Sequence, residues 1–447
     1  MKFNRAITTV AGLLASSALV VQPALAETLS LAQAVERGIV RSPELGQAQA
    51  RREGAEAVRD QATRAWYPSV DVTAAGGRRH LENDARVQLG LSAIDERPLY
   101  ATISVQQPVL DFGRRGNGIR SGKARLAAAE WNERFAAELS ALNIAQAYLQ
   151  VFIQRQVAAA AEANLGFHRD LVSDVDEGVQ RGALSISELQ QAKERQQSAQ
   201  VAADQARSEL AMAQTELALL VGTSDVDVTT PPDASAAMPA TLEAALAIAQ
   251  SGDPRLRGAE QSWKAAQFTA KRARGEYWPT VGLQGSIKAG SDFEGYRGTT
   301  RDYEMLVILR WNPFNGGVTA ARVREADSGA KEAGFTFVQA QRESELSVRK
   351  AWIAMENWRA KAATQQQRLE VARGLLDSYR AQFGIGRRSL LDVLDAQSAV
   401  FNAAVEADIA KAGLLLGQYG LLAQIGQLTT FLGAGRPVVD PGLYGPR

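Results

Sequence analysis

The sequence predicts a mostly α chain with a transmembrane β-barrel portion, written as two half-repeats. Three observations predict it. An ordered set of landmarks recurs about 202 to 211 residues downstream. Two proline-free helical stretches are far longer than a compact domain is wide. Four short segments alternate apolar and polar side chains.

Composition sets the limits. The chain has 447 residues, 50 Lys plus Arg against 49 Asp plus Glu, and a formal net charge of +1. Such a balance gives no bulk electrostatic reason to bind nucleic acid, and no nucleic-acid partner is expected. With 0 cysteines, disulfides, thiol catalysis, Cys-ligated zinc and lipidation of an N-terminal Cys are excluded. The 2 histidines, His80 and His168, lie far apart, which disfavours His-based metal sites and catalytic triads. No catalytic residues, metal ligands or cofactors are expected, and neither is enzymatic activity. Gly113–Gly118 (GRRGNG) is not followed by a Walker lysine and reads as a strand-to-helix return. A mean hydropathy of −0.18 rules out a bundle of transmembrane helices.

In chain order, residues 1–26 read as a secretory signal peptide. Lys2 and Arg5 form the positive end, residues 6–21 the apolar run, and Ala24-Leu25-Ala26 the cleavage site, leaving Glu27 first in the mature chain. The apolar run is shorter than the ~20 residues of a spanning helix. The first repeat then occupies 27–222 and the second 241–430. Leu31 and Pro43 match Leu242 and Pro254, and Tyr67-Pro68 matches Trp278-Pro279. Further on, PVLDFGRR (108–115) matches NPFNGGVT (312–319), and Gly182 matches Gly386. Between the halves, 223–240 is rich in Pro, Asp, Ser and Thr and is expected to be an irregular linker in the equatorial region. A Gly/Pro-rich tail closes the chain over 431–447.

Each half is expected to open with one helix, 30–65 or 241–276. Two strands follow, 68–79 with 99–110 and 279–290 with 302–313. A long helix comes next, 113–181 or 316–382, then a Gly turn and a closing helix, 185–221 or 389–428. A helix of about 67 residues spans about 100 Å at 1.5 Å per residue. Phe135, Leu139, Leu142, Leu149, Phe152 and Ile153 recur at coiled-coil-like spacing, and alanines let neighbouring helices approach closely.

In the strands, Ile103, Val105, Val281, Leu283, Ile287, Met305, Val307 and Leu309 alternate with polar residues, although Leu306 and Ile308 break the pattern. Segments of about 10 residues with this period match transmembrane strands. Trp66, Tyr67, Phe112, Tyr277, Trp278, Trp311 and Phe314 all fall where helix meets strand, as an interfacial aromatic girdle would. A lipid-exposed sheet has to close, and barrels start at about eight strands. One chain offers four, so closure needs a cyclic homo-oligomer of two or more copies.

The run GIGRRSLLDVLDAQSAVFNA (384–403), with Gly386, Ser389, Asp392, Val393, Leu394 and Asp395, resembles the TolC family of outer-membrane efflux and type I secretion channels. A weaker copy stands at Gly182, Ser185, Glu188 and Leu189, and the likeness covers nearly the whole mature chain. The resemblance implies a homotrimer with a 12-stranded β-barrel in outer-membrane lipid of a Gram-negative bacterium, stacked on a long periplasmic α-helical barrel. It further implies an exit duct served by a periplasmic adaptor (membrane fusion) protein and an inner-membrane RND or ABC transporter. The absence of a lipobox Cys resembles the unlipidated, Sec-exported branch.

For the site, the resemblance implies that Asp392 and Asp395 form an acidic ring at the periplasmic entrance. Their spacing alone also suits a helix dipole. Glu188 and Arg388 correspond to the family's gate links. Phe383 stands where the family has a Tyr, so one hydrogen bond of that latch is lost, and Arg387 adds a second cation. Gly182, Gly386, Ser185 and Ser389 form turns that would face the adaptor. Gly there can end a helix in the left-handed conformation, and Ser can cap the next one. The competing reading is a secreted or periplasmic coiled-coil adaptor or structural protein. Cargo is not legible in the sequence.

Overall fold

A computed structural model describes residues 27–82, 84–90, 92–294 and 297–434. The expected signal segment 1–26 and residues 435–447 of the expected tail lie outside the described residues.

The first half begins with β1 (Glu27–Leu29), α1 (Leu31–Val40) and α2 (Pro43–Arg64). β2 (Ser69–Gly76), the small hairpin β3 (Arg79–Leu81) and β4 (Ile94–Glu96) around α3 (Asp84–Gln88), and β5 (Leu99–Leu110) follow. α4 (Arg114–Gln180), α5 (Ile186–Val221) and β6 (Val226–Val228) lead into the second half. That half comprises α6 (Leu242–Gly252), α7 (Pro254–Arg274), β7 (Thr280–Ser291), β8 (Thr299–Arg310), α8 (Val318–Gly384), α9 (Leu390–Gln424) and α10 (Leu428–Phe431). α4 and α8 are each 67 residues long. Each starts after a left-handed glycine, Gly113 (φ 84°) and Gly317 (φ 85°), a conformation that only glycine enters cheaply.

Three expectations are corrected. The opening helix of each half is two helices. Ser42 caps α2 by accepting from the Leu45 amide at 3.3 Å, and Asp253 caps α7 by accepting from the Arg255 amide at 2.9 Å. Pro43 and Pro254 follow at the first helical position, where a missing N–H costs nothing but the preceding helix cannot continue. The linker is not wholly irregular either. Val226 and Val228, both fully buried, form β6, which pairs in parallel with β1 (Glu27↔Val226, Leu29↔Val228), and Ser235–Ala237 make a 3-10 turn. Finally, β2 ends at Gly76 and β8 runs Thr299–Arg310 rather than 302–313. Pro313 has no N–H to give a ladder, and Arg79–Leu81 belong to the separate hairpin.

The main sheet has the order β2-β5-β7-β8, antiparallel throughout, so its two edges are β2 and β8. α4 runs along α2, α5, α7 and α9, while α8 pairs with α9. The largest core sits where the middle of α4 meets β1, β6, α1 and the end of α9. There the Tyr148 hydroxyl reaches the carbonyls of Leu29 (3.0 Å) and Thr229 (2.9 Å), and the Tyr419 hydroxyl donates to Pro232 O at 2.6 Å. Smaller clusters follow the helices toward the turns. Ala161, Leu165 and Ala203 form one, and Leu171, Val175, Leu390 and Leu394 another.

Candidate functional site

The ladder sorts the strand side chains onto two faces, because residues opposite one another across a sheet share a face. One face carries Val70–Val105–Gly285–Met305 and Val72–Ile103–Ile287–Tyr303. Of these, Val72 is 70% exposed and Met305 80% exposed, so none of the described residues packs over this apolar face there. The other face carries Asp71–Ser104–Ser286–Glu304 and Thr73–Thr102–Lys288–Asp302. Leu306 and Ile308, which break the alternation, lie on this second face opposite Gln284 and Gly282. The sheet is thus apolar on one face and polar on the other, the division that a lipid-facing wall around water requires. Among the described residues no helix is long and apolar enough to cross a membrane.

The aromatics gather at the helix end of the strands. Phe112 stacks on Trp278 with ring centroids 5.3 Å apart, and Trp311 Nε1 donates to Tyr277 O at 3.1 Å. The Arg115 guanidinium lies 4.0 Å over the Trp66 ring, and Tyr67 and Phe314 project into solvent. Such amphipathic rings are most stable at a membrane–water boundary.

At the opposite end, α4 turns into α5 and α8 into α9 through the same local chemistry. Gly182 (φ 73°) and Gly386 (φ 75°) take the left-handed conformation. Ser185 caps α5 by accepting from Glu188 N at 3.2 Å, while Glu188 Oε2 accepts from Ser185 N at 2.7 Å. Ser389 and Asp392 repeat this capping box, with Ser389 Oγ donating to Asp392 Oδ2 at 2.8 Å. These hydrogen bonds, with Arg388 nearby, hold the Asp392 carboxyl below its ordinary range. Asp395 is exposed, one turn further on, with no partner among the described residues.

Within one chain the structure does not bring Glu188 and Arg388 together. Glu188 serves the cap of its own helix. Arg388 stands 4.4 Å over the Tyr379 ring, donates to Gln382 Oε1 at 3.2 Å and lies 3.7 Å from Asp392. Phe383 packs among Leu390, Leu394 and Val393, and Arg387 is exposed.

Sequence reading missed two buried polar features. Gln397 Nε2 of α9 donates to Asn164 Oδ1 of α4 at 2.8 Å, joining the two halves near the turns. Glu138 accepts from Leu428 N (3.0 Å) and Thr429 Oγ1 (2.6 Å), fixing α10, and burial raises its pKa. Partners separated by 233 and 291 residues leave no local pattern to read. His168 is 4% exposed and edge-on to Phe167, and burial, with the Arg195 charge, lowers its pKa below the ordinary imidazole value. No group of three metal-ligating side chains occurs among the described residues.

Comparison with known proteins gives a consistent picture. The model of the family described as "Outer membrane efflux protein" matches residues 34–223 and 245–423. The Brucella suis outer membrane efflux protein BepC is 23% identical over 368 residues, which cover 81% of this chain and 80% of that protein. The Pseudomonas aeruginosa alkaline protease secretion protein AprF is 24% identical over 319 residues, 70% of this chain and 66% of that one. The crystal structure of the Campylobacter jejuni CmeC outer membrane channel superposes with a TM-score of 0.76 at 16% identity. The superposition covers 92% of this chain and 90% of that one.

Proposed function

Because this chain belongs to the outer membrane efflux protein family, we propose that three copies close one 12-stranded barrel and act as the exit duct of a tripartite efflux pump or type I secretion system. The observation that carries this is the open sheet. Its apolar face has no covering among the described residues, and its edges β2 and β8 run in opposite directions. β8 of one copy can therefore pair antiparallel with β2 of the next, and lipid tolerates a sheet only when every edge amide is paired. A coiled-coil adaptor or structural rod would leave that face exposed to water.

The helices continue from the strands as a periplasmic tube about 100 Å long, given 1.5 Å per residue over α4 and α8. The Gly182 and Gly386 turns, with Ser185 and Ser389, face a periplasmic adaptor, and an inner-membrane RND or ABC transporter supplies the energy. Asp392 and Asp395 ring the entrance in three copies. Arg388, Arg387 and Glu188 act between copies, while Phe383 packs within its own chain beside them. Residues 1–26 direct Sec export, and the lack of any cysteine supports an unlipidated mature chain. The protein carries out no catalysis.

The test is the mass and conductance of detergent-purified protein. A trimer that opens small cation-selective channels in planar bilayers, with currents that rise in Asp392→Ala/Asp395→Ala, is the expected result. A monomer extractable without detergent and silent in bilayers would refute the duct.

A further inference from the structure

At the helix end of the sheet, on its polar face, lies a cavity of about 350 Å³ whose lining includes Gln106, Gln284 and Ile308 of the strands. Four arginines and one carboxylate line it: Arg114, Arg115, Arg272, Arg310 and Asp111. Arg115 and Asp111 satisfy each other at 2.7 Å. The other nearby carboxylates are also engaged, Asp327 by Arg274 at 2.9 Å and Glu276 by Arg322 at 3.4 Å. Arg114, Arg272 and Arg310 have no ion-pair or hydrogen-bonding side-chain partner among the described residues. The backbone makes room for them. A Cβ on Gly275 would fall 2.5 Å from Arg114 Cγ, so only glycine lets that side chain lie across the end of α7.

Three arginines without such partners among the described residues line one concavity, and this chemistry suits an anion. Their planar forks match carboxylate and phosphate oxygens, and their charge cannot be titrated away. The face matters as much as the charge. Arg310 shares the polar side of the sheet with Glu304 and Asp302, whereas Arg301 shares the apolar side with Tyr303 and Met305. The cluster therefore belongs to the water-filled interior rather than to the lipid surface.

We propose that Arg114, Arg272 and Arg310 form a holding station for anionic cargo, taking a phosphate or carboxylate group at the junction of the helical and stranded parts of the duct. This rests on the exit-duct reading and adds the chemical class of solute that the barrel end favours. In three copies the cluster makes a positive belt, with the acidic row Asp71–Glu304 beyond it toward the outside. An anion that has passed the periplasmic entrance meets the arginines before it reaches that row.

The probe is inositol hexakisphosphate added to either chamber of a planar bilayer made of phosphatidylcholine. The wild-type current should be blocked. In R114Q/R272Q/R310Q the half-blocking concentration should rise at least ten-fold, with insertion frequency preserved. R114K/R272K/R310K, which keeps the charge and guards against a misfolded triple variant, should block nearly as wild type does. Equal block in wild type and the glutamine variant overturns the proposal. A difference that emerges only when phosphatidylglycerol is present overturns it too, because the arginines would then serve lipid headgroups. Absence of any wild-type channel would instead refute the duct reading itself.

Discussion

Replacing Gln397 with Leu should open the duct at rest. Gln397 lies two turns into α9 and is 7% exposed, and its partner Asn164 on α4 is 9% exposed. The 2.8 Å bond between them is a buried polar tie between the α4/α5 and α8/α9 hairpins, and in the proposed gated duct an opening that slid one hairpin past the other would have to break it. Leu keeps the volume but leaves the Asn164 amide oxygen buried without a donor, which costs about 1–3 kcal/mol per copy in the closed arrangement. In the proposed trimer, three copies at the lower figure amount to about 3 kcal/mol, or more than about 100-fold in the open-to-closed ratio. Asn164→Leu/Gln397→Leu removes both polar groups and should restore most of the closed state, since an apolar pair of like shape is nearly neutral. Single-channel recording of the wild type, both single variants and the double variant gives a thermodynamic cycle. If the three variants all show the wild-type resting conductance, or if the two single effects simply add in the double variant, the tie does not hold the gate.

Two further outcomes follow from the same geometry. Glu138→Ala should release α10, because the Leu428 and Thr429 amides lose their buried acceptor. At about 2–4 kcal/mol for those groups, hydrogen-exchange protection over 425–434 should fall about 30- to 700-fold, with the long helices unchanged. At the turns, the Asp392 carboxyl is depressed, so its contribution is present above the ordinary aspartate value of 3.8 and lost as pH falls below it. Protection at the start of α9 should therefore decline in wild type on acidification below that value. Asp392→Asn should show a flat, lower profile.

The parts of the fold that repeat locally were legible in the sequence. Helices without proline, period-two strands and the aromatic positions are set by near neighbours, and α4, β5 and β7 lie within a residue of their expected bounds at each end. The Gly–Ser turns were readable for the same reason, since a left-handed glycine and a serine cap act over four residues. Two local signals carry more weight than repeat matching alone gives them: Pro43 and Pro254 mark helix breaks as well as repeat landmarks, and the Val226–Val228 alternation lies inside a polar linker. What could not be read was the pairing of distant polar groups. Asn164 with Gln397 and Glu138 with Thr429 are ordinary surface-type residues until the fold buries them. The arginines at the foot of the sheet sit in three separate stretches, and only the ladder puts Arg310 on the polar side.

The parallel pairing of β1 with β6 also sets a timetable. Glu27 meets Val226, so the first three described residues wait for a partner about two hundred positions later in the chain. On the proposed export route the polypeptide emerges vectorially into the periplasm, so Leu29 and the Tyr148 hydroxyl that grips its carbonyl cannot settle until nearly the whole first half has crossed. Closing so long a loop is slow compared with helix formation. The helical hairpin of α4 and α5 is then a waiting intermediate whose waist stays unfastened, and this is the interval in which a periplasmic chaperone has the most exposed surface to hold.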